Sequence, residues 1–144
     1  MDLEIDIKGT FLNIKVVILV KTKNGFILEK SPNGYFYFVG GRVKINETSE
    51  EAAKREIFEE IGIKIEELTF KTIIENFFTL KENQHVHEIC FVYTIDHKLE
   101  INDLASNYVE CPITNFENTD IRPRALKDYI LTNDDRPHII YRNL

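Results

Sequence analysis

Residues Gly41–Ile63 read GRVKINETSEEAAKREIFEEIGI, and the period of this stretch governs how the rest of the chain is read. Thr48 followed three residues later by Glu51 is a capping box, in which each side chain satisfies the other's backbone N–H at a helix start. From there Ala53, Ile57 and Ile61 recur at four-residue intervals and form one apolar stripe. Gly62 stands where helices often end in a left-handed residue. The pattern predicts a helix over 48–61.

That helix carries an arrangement that stability alone does not favour. Glu56, Glu59 and Glu60 fall within about 100° of arc on one face. Like charges at these spacings destabilise a helix by about 0.2–0.5 kcal/mol per pair. They also lie near the C-terminus, where the macrodipole disfavours negative charge. A hard, oxygen-seeking cation such as Mg²⁺ or Mn²⁺ reverses the sign of the interaction. For a generic Glu-rich helix a solvated acidic face is the favoured reading, so the residues around the three glutamates must decide.

Outward from the helix the period changes to that of strands. Residues 3–22 are rich in Ile, Leu and Val, and Phe11–Lys21 reads as one long strand, or two broken by a bulge near Gly9–Thr10. Asn24–Gly25 signals a hairpin returning along Phe26–Lys30. Ser31–Gly34 is a turn, and Tyr35–Val39 is a short strand stopped by Gly40–Gly41. Beyond the helix, Ile63–Leu80 and His85–Asp96 read as partner strands around a polar turn at Lys81–Gln84. Val109–Ile113 is a short strand, Pro123–Leu131 a second helix with Pro in its first turn, and His138–Arg142 a last strand. This order predicts an α+β fold, a mixed sheet with helices on its faces. No internal repeat or linker divides the chain, so 1–144 is expected to be one domain.

The bulk properties narrow the partners. The formal net charge is −6, whereas proteins that grip nucleic acid electrostatically are usually basic. An acidic chain still binds polyphosphates when a divalent cation sits between. Cys90 and Cys111 belong to no CxxC pair and read as ordinary thiols of a reducing cytoplasm. The start MDLEIDIKGT lacks a signal-peptide pattern, and the apolar run Val16–Val20 is too short to span a membrane. A cytoplasmic protein without membrane or nucleic-acid partners is expected.

The segment 41–63 resembles the Nudix box: a Gly, five residues, Glu, seven residues, Arg-Glu, an aliphatic, any residue, Glu-Glu, any residue, Gly, an aliphatic. Gly41, Glu47, Arg55, Glu56, Ile57, Glu59, Glu60, Gly62 and Ile63 match at every defined position. Background frequencies put a chance match on the order of one in a billion per starting position. The flanking hairpin and strand pair follow the family's order of elements. The implied fold is an α/β/α sandwich with a central mixed sheet.

The resemblance also implies roles. Glu56 and Glu60 are expected to ligate Mg²⁺ or Mn²⁺, and Glu59 to be a ligand or the base that activates water. The Gly40 carbonyl is a further ligand in similar enzymes. Arg55 is expected to pair with Glu47, which suits its planar fork, and Gly41 and Gly62 to serve backbone geometry. Such enzymes usually carry Pro-Gly-Gly at the box entrance. Val39-Gly40-Gly41 here departs from that, and the departure bears on the Gly40 carbonyl.

Related enzymes often add a later acidic residue as base or ligand, and Glu88 and Glu110 are the candidates. Each also reads as an ordinary strand or loop charge. His85 and His87 share a strand face, and fit a solvent-facing hairpin end as well as a substrate contact. Phe77 and Phe78 suit sheet core, or a cleft edge that stacks a base. Arg122 and Arg124 fit a phosphate contact or an exposed helix start equally well, and Tyr35 and Tyr37, flanking the expected cleft entrance, have the same two readings.

The implied activity is metal-dependent hydrolysis of a phosphoanhydride in a nucleoside diphosphate linked to another moiety, such as a nucleoside triphosphate or nucleotide sugar. The alternative is a Nudix-like module that senses a nucleotide without cleaving it. Small proteins of this type are often dimers, so a homodimer is one expected assembly. About 16 residues past the box, family members that favour ADP-ribose often carry Pro, and those that favour dinucleoside polyphosphates Tyr. Phe77–Leu80 has neither.

Overall fold

The computed structural model describes residues 1–81 and 83–144. Helix α1 spans Ser49–Ile61. Both halves of the capping box form: the Glu51 N–H donates to Thr48 Oγ1 at 3.0 Å and the Thr48 N–H to Glu51 Oε2 at 2.9 Å. Gly62 ends the helix at φ 79°, with its N–H on the Phe58 carbonyl. Ala52, Ala53 and Ile57 are buried, and Ile61 packs at the margin of the same cluster.

The described residues form ten strands in one connected sheet: β1 (Glu4–Ile7), β2 (Thr10–Leu19), β3 (Lys21–Thr22), β4 (Gly25–Lys30), β5 (Phe36–Arg42), β6 (Thr69–Thr79), β7 (His85–Thr94), β8 (Tyr108–Cys111), β9 (Ile121–Arg122) and β10 (His138–Asn143). Their order is β10-β6-β7-β2-β5-β4-β3, with β1 beside β2, β8 beside β4 and β9 beside β5. The sheet is mixed: β2 runs parallel to β7 and β10 to β6, whereas β2 is antiparallel to β5 and β6 to β7. A second helix, α2, covers Arg124–Leu131, after a 3₁₀ turn at Ile113–Asn118.

Strand β2 explains the two layers. It is the central strand that presents apolar residues to both faces, as strands buried on both sides do. Val16 and Ile18 join Ile27, Val39, Ala53 and Ile57 on the α1 side. Val17 and Leu19 join Phe26, Phe38, Ile74, Phe116 and Leu126 on the α2 side. The expected α+β sandwich, a mixed sheet between helices, is the observed architecture.

Several boundaries differ from the sequence expectation. The break near Gly9 is a hairpin and not a bulge: Lys8 and Gly9 have φ of 52° and 87°, and Ile7 pairs with Thr10. Strand β5 does not stop at Gly40–Gly41 but runs through both to Arg42, because β2 pairs along it there. The strand after α1 begins at Thr69, not Ile63, since Ile63, Ile65 and Leu68 pack against the α1-side cluster instead. β7 ends at Thr94, and β8 ends at Cys111, with Ile113 opening the 3₁₀ turn. The turn expected at Lys81–Gln84 includes Glu82, which lies outside the described residues.

Candidate active site

Arg55 organises the acidic face of α1. Its Nε and one Nη donate to the two Glu47 oxygens at 2.7 and 2.8 Å, and that Nη also reaches the Arg42 carbonyl at 3.0 Å. The other Nη donates to Glu56 Oε1 at 2.9 Å and Glu59 Oε2 at 3.3 Å. The guanidinium therefore clasps the entry loop and spans two helix carboxylates, which Lys cannot reproduce. The Arg55 hydrogen bond holds the Glu47 carboxyl below its usual range. The expected Arg55–Glu47 pair is present.

Gly40 and Gly41 let the helix meet the sheet. A Cβ on Gly41 would sit 2.3 Å from Glu56 Oε1, and one on Gly40 would sit 2.1 Å from the Val16 carbonyl oxygen. Gly40 meets backbone and so needs glycine, whereas the atoms at Gly41 are the end of the flexible Glu56 side chain. The β4–β5 ladder is registered from Lys30↔Phe36 to Leu28↔Phe38, so Gly40 lies past it. Its N–H donates to Glu60 Oε2 at 3.2 Å.

Burial sets the proton affinity of this face. Glu56 is pushed up by burial, which Arg55 partly opposes. Glu60 is pushed up to about 7, first by burial and then by repulsion from Glu56 and Glu29. Hydrogen bonds from Tyr108 and the Gly40 N–H act in the opposite sense. Tyr108 is itself pushed up, by burial first and then by the charges of Glu60 and Glu29. Glu59 is the exposed member, with half of its side chain in solvent.

Among the described residues no three acidic, histidine or cysteine side chains converge closely enough to hold an ion. The reason is visible in the bonds above: Glu56 and Glu59 turn to Arg55, and Glu60 to Gly40 and Tyr108. The donor chemistry still fits a hard dication. Glu56 and Glu60 are half-buried carboxyls one helical turn apart, each pushed up first by burial and then by neighbouring carboxylates, Glu59 for Glu56 and Glu56 for Glu60, the condition a divalent ion relieves.

A cleft of about 610 Å³ opens beside Gly40–Arg42, and Glu56, Glu59 and Glu60 are not among the residues that line it. Gly40, Gly41 and Glu29 border it on one side, while Asn13, Asn76, Glu88 and Phe78 lie farther along the sheet. Of the later acidic candidates, Glu88 lines the cleft and is 6% exposed. Glu110 does not line it; Glu110 Oε2 accepts from Thr22 Oγ1 at 2.7 Å. Phe78 reaches the cleft, whereas Phe77 points away and stacks on His87 at 4.4 Å between centroids. His85 lies outside it, bonded to Thr79 at 3.1 Å. Arg122 crosses the Tyr35 ring at 3.7 Å, and Tyr37 bonds Tyr35 through the hydroxyls at 3.0 Å, so these three form one group at the cleft. Arg124 borders it too.

Sequence reasoning missed Glu29, Tyr108 and Asn13. Glu29 ends a strand as an ordinary polar residue does, and it meets Tyr108 only through the β4–β8 pairing. Nothing local in the sequence signals a contact between residues so far apart.

Comparison with known proteins agrees with this geometry. Residues 10–126 match a family model described as NUDIX domain. Similar solved structures include a MutT protein from Bacillus halodurans, with TM-score 0.67 and 16% identity over 90% of this chain and 86% of that one. A MutT protein from Methanosarcina mazei Go1 has TM-score 0.61 and 20% identity over 90% and 96%. The E. coli dihydroneopterin triphosphate pyrophosphohydrolase has TM-score 0.59 and 16% identity over 83% and 92%. At these identities the likeness speaks to the fold.

Proposed function

The chain belongs to the Nudix family and is a pyrophosphohydrolase of that kind; from this premise we propose that it cleaves, with Mg²⁺ or Mn²⁺ bound, a phosphoanhydride in a nucleoside diphosphate linked to another moiety. Residues 1–144 act as one domain in this reading. The observation that carries it is the Arg55 clasp, which holds Glu47, Glu56 and Glu59 together beside the glycine pair that Glu60 touches.

Glu56 and Glu60 would hold the ion, with the Gly40 carbonyl beside them. Bound there, it supplies neutralising charge for the diphosphate and a lowered pKa for water. Glu59 is the residue that removes the water's proton, since it is exposed and the Arg55 nitrogen that binds Glu56 holds it too. Glu88, the other candidate for that role, lines the cleft from the α2 face of β7, away from Glu59 on α1, and is left for substrate contact. Glu110 serves only if it leaves Thr22. Arg55 positions and does not react. Lys15 and Arg122, which line the cleft, meet the substrate's phosphates.

The test is turnover of a panel of nucleoside triphosphates, nucleotide sugars and other diphosphates with Mg²⁺ or Mn²⁺, read as released phosphate, pyrophosphate or monophosphate. Cleavage of one class above the metal-free rate supports the reading. Binding of a nucleotide with no turnover in either metal would replace it with a sensing module.

A further inference from the structure

Three polar side chains stand in a row on the cleft floor, on the α2 side of the sheet. Asn13 on β2 is registered with Glu88 on β7, and Glu88 with Asn76 on β6. They are 7%, 6% and 6% exposed. On β7 and β6 the next residues on this face, Cys90 and Ile74, belong to the apolar core, and on β2 Val17 does so beyond Lys15. A sheet built only for packing would continue that core through the row.

The row is also poorly satisfied. Asn76 Nδ2 donates to Glu88 Oε1 at 3.4 Å, a long bond. Asn13 Oδ1 is buried and takes no hydrogen bond. Buried polar groups normally find partners, and leaving one without costs stability. Lys15 on the same floor does not neutralise Glu88; its ammonium lies 5.4 Å from the Tyr37 ring centroid. The row therefore offers acceptors that the protein leaves unfilled. Asn13 lines the cleft, and a half-turn about its terminal bond exchanges amide oxygen and nitrogen, so the side chain can offer an acceptor to a ligand there.

The chemistry of the missing partner follows. Adjacent strands are ~4.8 Å apart, so the Glu88 and Asn13 acceptors can address one edge of one planar group. A carboxylate accepts two parallel N–H bonds best. A ring N–H beside an exocyclic amine supplies both, and the second amine hydrogen is left for Asn13. Phe78, Val86, Phe38 and Pro123 supply apolar walls for such a ring. An adenine edge puts an acceptor beside its amine, and a hypoxanthine edge lacks the amine.

We propose that Glu88 and Asn13 bind the edge of a fused-ring base that carries a ring N–H beside a 2-amino group, that of a guanine nucleotide or of a pterin phosphate, with Asn76 orienting Glu88. This rests on the hydrolase reading for the phosphate end of the cleft and names the substrate class at the other end.

The experiment reads binding without cleavage. The metal-free protein is titrated calorimetrically with GMP, IMP, AMP and neopterin monophosphate. GMP or the pterin phosphate is expected to bind about tenfold or more tightly than IMP and AMP, as loss of a bond to a charged group predicts. Whichever of the two binds more tightly identifies the carrier of the edge. In Glu88→Gln, which keeps one acceptor and turns a donor toward the ring N–H, the preference is expected to disappear. If that variant unfolds, Asn13→Val is titrated instead and should lose affinity for GMP and the pterin phosphate alone. Equal binding of all four, no binding of any, or a preference that survives in a folded Glu88→Gln overturns the proposal. Absence of turnover in the substrate panel overturns the hydrolase reading and leaves this result standing.

Discussion

The Cα of Gly41 lies beneath the carboxyl group of Glu56, so close that a methyl there would meet Oε1 at 2.3 Å. The colliding atoms are the end of a flexible side chain, so Gly41→Ala should fold and displace Glu56. We expect turnover to fall by orders of magnitude with little change in melting temperature. Gly40→Ala differs, because its methyl would meet the Val16 backbone oxygen at 2.1 Å. That variant should lose about 1–3 kcal/mol of stability. Activity and thermal unfolding of the two proteins check the contrast; equal melting temperatures would contradict it.

Arg55→Lys removes the fork that holds Glu47 at two points and reaches Glu56 and the Arg42 carbonyl. The side chain is 20% exposed, so solvent replaces little of what is lost. We expect destabilisation of about 2 kcal/mol or more, measured by urea unfolding. Because the clasp also places Glu59, turnover should fall as well.

Glu60 gives the metal-free protein a pH dependence of known sign. Its folded pKa, about 7, lies above the ordinary 4.5. Between those values the native state holds a proton that the unfolded chain has released, so stability falls as pH rises through this window. In a chelator, melting temperature should therefore rise as pH is lowered from 8 to 5.5. Glu60→Gln should flatten that slope and, with metal, lose turnover by orders of magnitude. Near-normal activity in the folded variant would remove Glu60 from the mechanism.

Tyr108 donates a hydrogen bond that favours ionised Glu60. Tyr108→Phe deletes it, so the Glu60 pKa should rise further. The acid limb of the kcat/KM profile should move to higher pH, with kcat on the alkaline plateau changed less. A limb that stays in place would show that Glu60 does not set it.

Metal removal should abolish turnover, and Mg²⁺ or Mn²⁺ should restore it. Adding the ion should raise the melting temperature of the wild type, as any ligand of the native state does. It should do so much less in Glu60→Gln. Turnover that persists in excess chelator would contradict the assigned cofactor.

Much of this site was readable in one stretch of sequence because its parts are local. The capping box, the acidic face, the Arg55–Glu47 pair and the Gly62 terminus lie within one helix and its entry loop, where spacing determines contact. The role of Gly40 and Gly41 was only half legible. Glycine pairs usually end strands, and here β2 and α1 close in on both sides of β5 and make the glycines necessary. Glu29 with Tyr108, and Asn13 with Glu88, are brought together by register between strands distant in sequence. The period of a strand tells which residues share a face, but not which strand lies alongside. Glu110 shows the same limit: Thr22, 88 positions away, occupies it.

The polar row on the floor hangs from β2, β7 and β6 on the α2 side, whereas the Arg55 clasp joins α1 to its entry loop and to the end of β5. The two share no side chain. A lineage could therefore exchange Asn13, Asn76 or Glu88 one at a time and drift to new ligands while bond cleavage went on undisturbed.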